Sequence, residues 1–78
     1  MTEKAVFYHA GCPICLDAER QFAQKLDPAR YHVEVVHLGQ AKHRIAEARA
    51  AGVKSVPAFV IDGHSYHINF GADLDALA

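Results

Sequence analysis

The hydrophobic positions in the first half of the chain predict a strand, a helix and a second strand. Residues 5–9 form an apolar and aromatic run, which is typical of a strand buried on both faces. From Pro13 onward the apolar residues recur at intervals of three and four, which predicts a helix with one buried stripe. The members of that stripe are Cys15, Ala18, Phe22 and Leu26. Residues 31–38 are rich in valine and predict a strand covered on at least one face.

Glycine and proline mark the ends of the predicted helices. Gly11 permits a tight turn, and Pro13 suits a first helical position because its fixed φ matches the helix and its missing N–H would have no partner there. Asp27-Pro28 ends this helix. Residues 41–51 are mostly good helix formers and predict a second helix, with Gly52 as its C-terminal cap. Its inward stripe consists of Ile45 and Ala48.

The last third of the chain predicts a β-hairpin. Asp62-Gly63 separates two apolar runs, 58–61 and 65–70, and an Asp-Gly dipeptide in that setting indicates a tight hairpin turn. Asp73 then caps a final helix of little more than one turn. The predicted order of elements is therefore βαβαββ, followed by a truncated C-terminal helix.

This order predicts an α/β fold with a four-stranded mixed sheet. Because a βαβ unit has a right-handed crossover, we expect the first two strands to lie parallel. The hairpin then adds the third and fourth strands antiparallel, beside the first. No linker, internal repeat or low-complexity segment interrupts residues 1–78, so we expect a single domain.

The charge and composition exclude several classes of partner. The 78 residues carry a net charge of −1, and no run of Lys or Arg interleaves with aromatic residues. We therefore expect neither a nucleic-acid surface nor binding to an anionic membrane. No apolar stretch is long enough for a transmembrane helix, and the first residues lack the pattern of a signal peptide. The expected location is the cytoplasm.

Two cysteines, Cys12 and Cys15, occupy the junction between the first strand and the first helix. A thiolate at a helix N-terminus is stabilised by unpaired backbone N–H groups, which makes a cysteine placed there nucleophilic at cellular pH. A disulfide across so short a loop constrains few unfolded conformations, so this spacing is poorly explained by a stabilising crosslink. In a reducing cytoplasm such a pair is usually catalytic or metal-binding.

The cysteine motif has a second feature downstream that makes it more specific. Cys12-Pro13-Ile14-Cys15 opens a helix, and Val56-Pro57 stands at the entry to the hairpin. This combination resembles the glutaredoxin and small thioredoxin-like family over nearly the whole chain. The resemblance implies a thioredoxin-like, glutaredoxin-type fold and thiol–disulfide oxidoreductase activity. By position, Cys12 corresponds to the attacking thiol and Cys15 to the resolving thiol.

The resemblance also implies a substrate-binding surface around the cysteines. Pro57 corresponds to the family's cis-proline, and Val56 before it would offer its backbone N–H and C=O to an extended stretch of substrate. Pro13 and Ile14, which separate the cysteines, belong to the same surface.

Several positions depart from the glutaredoxin pattern. Glutaredoxins commonly have a lysine where this chain has His9, and a tyrosine where it has Ile14. His9 either assists the thiolate in place of the lysine or is an ordinary surface residue at a strand end. Glutaredoxins hold glutathione with a Gly-Gly turn and an acidic residue, of which Gly71 and Asp73 remain in a shortened turn. The chain has no tryptophan, so it lacks the one that precedes the thioredoxin motif.

The partners that the resemblance implies are a protein with a disulfide as substrate, and glutathione or a thioredoxin-reductase-type enzyme as reductant. We expect no bound cofactor, with glutathione acting as a substrate or reductant. These partners correspond to roles in electron transport and cell redox homeostasis. A cytoplasmic location favours a role for this protein as a reductant of substrate disulfides over a role as an oxidant.

Two other classes of function compete with this one. His9, Cys12 and Cys15 have a spacing that zinc permits, but no second Cys-x-x-Cys or His pair completes a tetrahedral site. A shared iron–sulfur cluster is a variant of this interpretation, although family members that hold one usually have a single cysteine in the motif. A redox-inert module that holds a partner along the hairpin edge is the third class, and the presence of both cysteines argues against it.

The C-terminal end predicts an assembly. Family members usually finish with a helix of several turns, whereas only residues 73–78 are left here to cover the sheet. Because large exposed apolar patches are rare on monomers, we expect a symmetric homodimer that buries the uncovered face or the edge of the last strand.

Overall fold

The structure, a computed structural model, describes residues 3–77, with residues 69 and 70 described by their backbone only. It contains four strands and three helices, in the predicted order. These are β1 (Glu3–His9), α1 (Pro13–Gln21), β2 (Tyr31–His37), α2 (Ile45–Ala50), β3 (Ser55–Ile61), β4 (His64–Asp73) and α3 (Leu74–Leu77). Short 3-10 segments follow α1 at Ala23–Lys25 and precede α2 at Lys42–Arg44. Among the described helices, none combines the length and apolar character needed to cross a membrane.

The four strands form one mixed sheet in the order β2-β1-β3-β4, which confirms the predicted α/β topology. β1 and β2 are parallel, with Phe7 opposite Val35 and His9 opposite His37. β3 is antiparallel to both β1 and β4, with a shift of register between Val56 and Ala58 in its pairing with β4. β2 and β4 are therefore the two edges of the sheet.

The core consists of two clusters, as expected for a sheet with helices on both faces, since neighbouring residues of a strand point to opposite faces. Phe7 belongs to the first cluster and Tyr8 to the second. The other buried members of the first are Ala5, Ala18, Ala23 and Phe59. Those of the second are Cys15, Val36, Leu38, Ile45, Ala48, Val53, Val56, Ala58 and Leu74. The predicted inward positions Cys15, Ala18, Ile45 and Ala48 are thus confirmed.

The prediction that Phe22 belongs to the buried stripe is wrong. The α-helical spacing of α1 stops at Gln21, and the chain tightens into the 3-10 segment Ala23–Lys25. This change of winding rotates the later side chains relative to the α-helical stripe. As a result Ala23 is buried, and Phe22 is 47% exposed.

The hairpin strands are longer than predicted, because they pair with each other beyond the range of their apolar runs. β3 begins at Ser55 and β4 continues to Asp73, with Ser55 opposite Asp73 and Val56 opposite Ala72. The expected turn around Gly71 is therefore wrong, since that residue lies inside β4. The predicted cap is present, because the Asp73 carboxylate accepts a 2.9 Å hydrogen bond from the Asp75 N–H at the start of α3.

Candidate functional site

Cys12 is the N-cap residue of α1, at the carboxyl end of β1. Its backbone is extended (φ −71°, ψ 159°), and its Sγ accepts a 3.1 Å hydrogen bond from the Cys15 N–H. The Cys12 carbonyl accepts the first helical hydrogen bond, from the Leu16 N–H at 2.9 Å. The sulfur thus occupies the position that a serine or aspartate oxygen usually takes at a helix start. Pro13 follows as the first helical residue, as predicted.

Cys15 differs from Cys12 in its surroundings. It is fully buried and belongs to the second core cluster, whereas Cys12 is half-buried, and both are free thiols. Burial raises the pKa of the Cys15 thiol, and its hydrogen bond with Cys12 raises it further. The motif therefore combines one accessible sulfur with one buried sulfur whose pKa is raised.

Gly71 is packed directly against both sulfurs. A Cβ at this position would lie 2.5 Å from Cys12 Sγ and 3.2 Å from Cys15 Sγ. It would also lie 3.1 Å from the Val56 carbonyl oxygen, which brings β3 to the same place. The structure thus gathers four of the predicted site residues, Cys12, Cys15, Val56 and Gly71, at one end of the sheet.

Val56 and Pro57 are buried, and the peptide bond between them is cis, as the family resemblance implied. The pairing of β3 with β1 ends at Tyr8–Ala58, so Val56 lies two residues beyond the last paired position. Ile14, between the two cysteines, is 42% exposed and Pro13 is exposed as well. The rim of the motif is therefore apolar and accessible.

His9 is only 5% exposed, so the expectation that it could be an ordinary surface residue is wrong. Its Nδ1 accepts a 3.1 Å hydrogen bond from the Gly11 N–H, within the turn that leads to Cys12. Burial lowers the pKa of His9, and the neighbouring His37 lowers it further. An imidazole that accepts this hydrogen bond at Nδ1 is in its neutral form, and the lowered pKa favours that form, which carries no positive charge of the kind that a lysine supplies.

His37 is a neighbour of the motif that sequence reasoning missed. Its ring centroid lies 4.8 Å from that of His9, because the parallel register sets these two strand-terminal residues opposite each other. A signal for it existed in the sequence, since His9 and His37 occupy the last positions of two strands predicted to be parallel. It could be used only once the register was known.

Asp73 is the last residue of β4, two residues after Gly71, and lies opposite Ser55 of β3. It is exposed and lines an open surface pocket together with Arg49, Lys54 and Asp75, while its carboxylate caps α3. Its predicted role in holding glutathione stays a prediction. Across residues 3–77, no group of three or more His, Cys, Asp or Glu side chains has an arrangement that could hold a metal ion.

Comparison with known proteins gives a similar solved structure. A solution NMR structure of a dimeric thioredoxin-like protein from Nitrosomonas europea is 62% identical to this chain, with a TM-score of 0.93. The match covers 99% of this chain and 96% of the other. No protein-family model matches the chain, and no curated protein matches it.

Proposed function

Because this chain belongs to the thioredoxin-like family, we propose that it is a thiol–disulfide oxidoreductase that uses Cys12 as the nucleophile and Cys15 as the resolving thiol. The observation that carries the proposal is the 3.1 Å hydrogen bond from the Cys15 N–H to Cys12 Sγ. An N–H at the positive end of a helix stabilises a negative charge on sulfur, which favours the reactive thiolate.

The proposed reaction consists of two exchange steps. The Cys12 thiolate attacks one sulfur of a substrate disulfide, which forms a mixed disulfide and releases the other substrate sulfur as a thiolate. Cys15 then loses its proton and attacks Cys12 Sγ, which forms the Cys12–Cys15 disulfide and releases the second substrate thiol. In total the substrate gains two electrons and two protons, and the protein loses two electrons, the Cys15 proton and the proton that Cys12 released when it ionised.

The difference between the two sulfurs supports this order of events. Cys15 is fully buried and its pKa is raised, so it attacks only after the mixed disulfide has formed beside it. Once Cys12 is bonded to substrate, its sulfur is a neutral electrophile, and Cys15 is the neighbouring thiol that can reach it. The raised pKa therefore delays the second step without preventing it.

The substrate that the site favours is an extended segment of a protein next to a disulfide. Val56 extends past the last β1–β3 pair, which supports backbone pairing with such a segment. Pro13 and the exposed Ile14 add apolar contact area beside Cys12, and the buried Pro57 follows Val56 in the chain. The protein would return to the dithiol form by reaction with glutathione or a thioredoxin-reductase-type enzyme, in a cytoplasmic role in electron transport and redox homeostasis.

The decisive experiment is to equilibrate the purified protein with glutathione and dithiothreitol buffers and to measure the fraction of Cys12–Cys15 disulfide. We expect a two-electron transition that both Cys12→Ser and Cys15→Ser abolish. Cys15→Ser should also accumulate a mixed disulfide with a model substrate, whereas Cys12→Ser should not. Two thiols that never pair would overturn the proposal and favour a redox-inert binding module.

We also propose that the chain forms a homodimer, as the thioredoxin-like protein from Nitrosomonas europea does. The edge strand β4 is ten residues long, and its first seven residues include no Lys, Arg, Asp, Glu or Pro. Charged residues and prolines are the usual means of preventing edge strands from pairing. Tyr66 on this strand is 53% exposed. We therefore place the interface at β4, where two antiparallel β4 strands would join the sheets across a two-fold axis.

A further inference from the structure

The turn that precedes Cys12 is held by two imidazole rings. The His37 ring fills the space beside Gly11, since a Cβ on Gly11 would lie 2.5 Å from His37 Nε2. The same ring contacts the turn after β2, where a Cβ on Gly39 would lie 2.8 Å from His37 Cε1. His37 is thus wedged between the two loops at the carboxyl ends of β1 and β2.

His9 binds the same turn through a hydrogen bond. Its Nδ1 accepts from the Gly11 N–H at 3.1 Å, so this nitrogen must carry a lone pair, and the ring must be neutral with its proton on Nε2. The His9 ring is stacked on that of Phe7 in the same strand, with centroids 5.6 Å apart. It also lies against the ring of His37 in the neighbouring strand β2. An imidazolium has a proton on both nitrogens and cannot accept this hydrogen bond.

Charged and titratable groups on the packed elements act on His9 in opposite directions. His37 on β2 disfavours a positive charge on His9, as burial does, while Glu19 on α1 favours one. The two unfavourable effects are the larger, because the pKa of His9 is lowered overall. Its protonation is therefore shifted to a lower pH than that of an ordinary histidine.

We propose that His9 and His37 are positioning residues that hold the Gly11 turn, so that Cys12 Sγ stays on the Cys15 N–H, and that protonation of His9 releases this turn. Protonation puts an N–H of His9 against the Gly11 N–H, and two donors repel each other. The turn then shifts, and Cys12 loses its position at the helix start. The consequence for disulfide exchange rests on the proposed function, whereas the structural change does not.

The structural change is tested by NMR, from the pH dependence of the Gly11 amide signal between about pH 4 and pH 8, a range that extends below the ordinary titration of histidine. In the unmodified protein we expect this signal to move together with the His9 ring signals. His9→Asn places an amide oxygen where Nδ1 was, so it keeps an acceptor for the Gly11 N–H and removes the titration. His64→Asn, at the exposed start of β4, is the matched control and should leave the Gly11 titration intact.

The functional half is tested by the rate of Cys12 alkylation over the same pH range, with each variant normalised to its own rate at the highest pH. We expect the normalised rate at the lowest pH to be about three- to tenfold lower in the unmodified protein than in His9→Asn. This factor corresponds to the loss of one hydrogen bond. A steeper fall in His9→Asn would overturn the proposal, because it would mean that the charged imidazole assists the thiolate.

The two readouts separate this proposal from the proposed function. A Gly11 amide that does not respond to His9 titration refutes the positioning role, even if Cys12 and Cys15 form a disulfide in redox buffers. A Gly11 amide that does respond, in a protein whose thiols never pair, supports the positioning role and refutes the oxidoreductase. The NMR titration of the unmodified protein decides the first point even if His9→Asn fails to fold.

Discussion

Gly71 and Cys12 are in direct contact across the end of the sheet, so close that a Cβ on Gly71 would lie 2.5 Å from the Cys12 sulfur. Neither the Cys12 sulfur nor the Val56 carbonyl, the two atoms nearest to such a Cβ, can easily move away. The sulfur is held by the Cys15 N–H, and the next contact, at 3.1 Å, is the backbone carbonyl of Val56. Gly71 is therefore required by the space around the cysteines, and not by an unusual backbone angle.

Gly71→Ala should consequently displace Cys12 Sγ and slow its reaction with alkylating reagents and disulfides by about tenfold or more. Forcing a methyl group into a packed site also costs about 1–3 kcal/mol of stability. Alkylation kinetics and urea denaturation measure the two effects. Gly63→Ala is the control, since Gly63 has a positive φ of 75° but no atom within 4 Å of the added Cβ. It should destabilise the fold and leave Cys12 reactivity unchanged.

Tyr8→Phe should destabilise the protein by about 1–2 kcal/mol, since a hydrogen bond to a charged group contributes about 1.5–3 kcal/mol and the Glu47 carboxylate is partly exposed to solvent. The buried Tyr8 donates a 2.6 Å hydrogen bond to Glu47 Oε2, which ties β1 to α2. Burial, together with the Glu47 carboxylate, raises the pKa of Tyr8, so the hydroxyl remains a donor over the whole neutral range. Urea denaturation should show a lower midpoint with an unchanged slope.

The control for this change is Tyr31→Phe, at the half-buried start of β2 and outside the Tyr8–Glu47 pair. It should leave the midpoint within about 0.5 kcal/mol of the original. Equal losses in the two variants would contradict a specific role for the Tyr8 hydroxyl.

Glu34 should make the stability sensitive to acid. Arg44 at 2.8 Å, and then Lys4 at 3.2 Å, lower the pKa of Glu34 from its ordinary 4.5 to about 2. Since the folded-state pKa lies below the unfolded one, the stabilisation is complete above about pH 4.5 and is lost as the pH falls toward 2. A third of the side chain is exposed to solvent, which screens the pair, so we expect no more than about 1 kcal/mol.

The measurement is the urea midpoint of Glu34→Gln and of the unmodified protein at several pH values. The gap between them should be largest near neutrality and close at low pH. Glu3→Gln, at the exposed start of β1, is the control and should produce no such gap. A gap that does not change with pH would show that Glu34 acts through packing and not through its charge.

Tyr66→Lys should weaken the proposed dimer, because it places a charge in the uncharged first half of the β4 edge. We expect the dissociation constant from sedimentation equilibrium to rise by at least about tenfold. Val35→Lys is the matched control at the opposite edge, since Val35 on β2 is also an exposed apolar side chain. If Val35→Lys dissociates the dimer and Tyr66→Lys does not, the interface lies at β2. A protein that stays monomeric at tens of micromolar and above would remove the homodimer.

Local patterns were sufficient to predict the sheet and the place of the cysteines. The apolar run before Gly11, the proline after Cys12 and the Asp62-Gly63 turn each act within a few residues, and each determined an element or its end. Phe22 was misplaced because a change from α to 3-10 winding depends on packing that a periodic pattern does not contain.

The immediate surroundings of the cysteines could not be predicted in the same way, because they come from distant parts of the chain. Gly71 reaches Cys12 through the late pairing of β4 with β3, and His37 reaches His9 through the parallel register. Both contacts depend on how strands align, which hydrophobic spacing leaves open. Family resemblance identified Gly71 as a site residue but placed it in a turn instead of a strand.

Cys15 is a core residue as well as a redox group, buried with Val56 and Leu74 in the same cluster. Its conversion from thiol to disulfide would therefore alter the interior of the protein. Oxidation and folding then form one thermodynamic cycle, in which any difference in folding free energy between the dithiol and disulfide forms is also a difference in reduction potential. About 1.4 kcal/mol corresponds to about 30 mV for a two-electron couple. Substitutions deep in the core, far from any substrate, would then adjust the direction in which electrons flow.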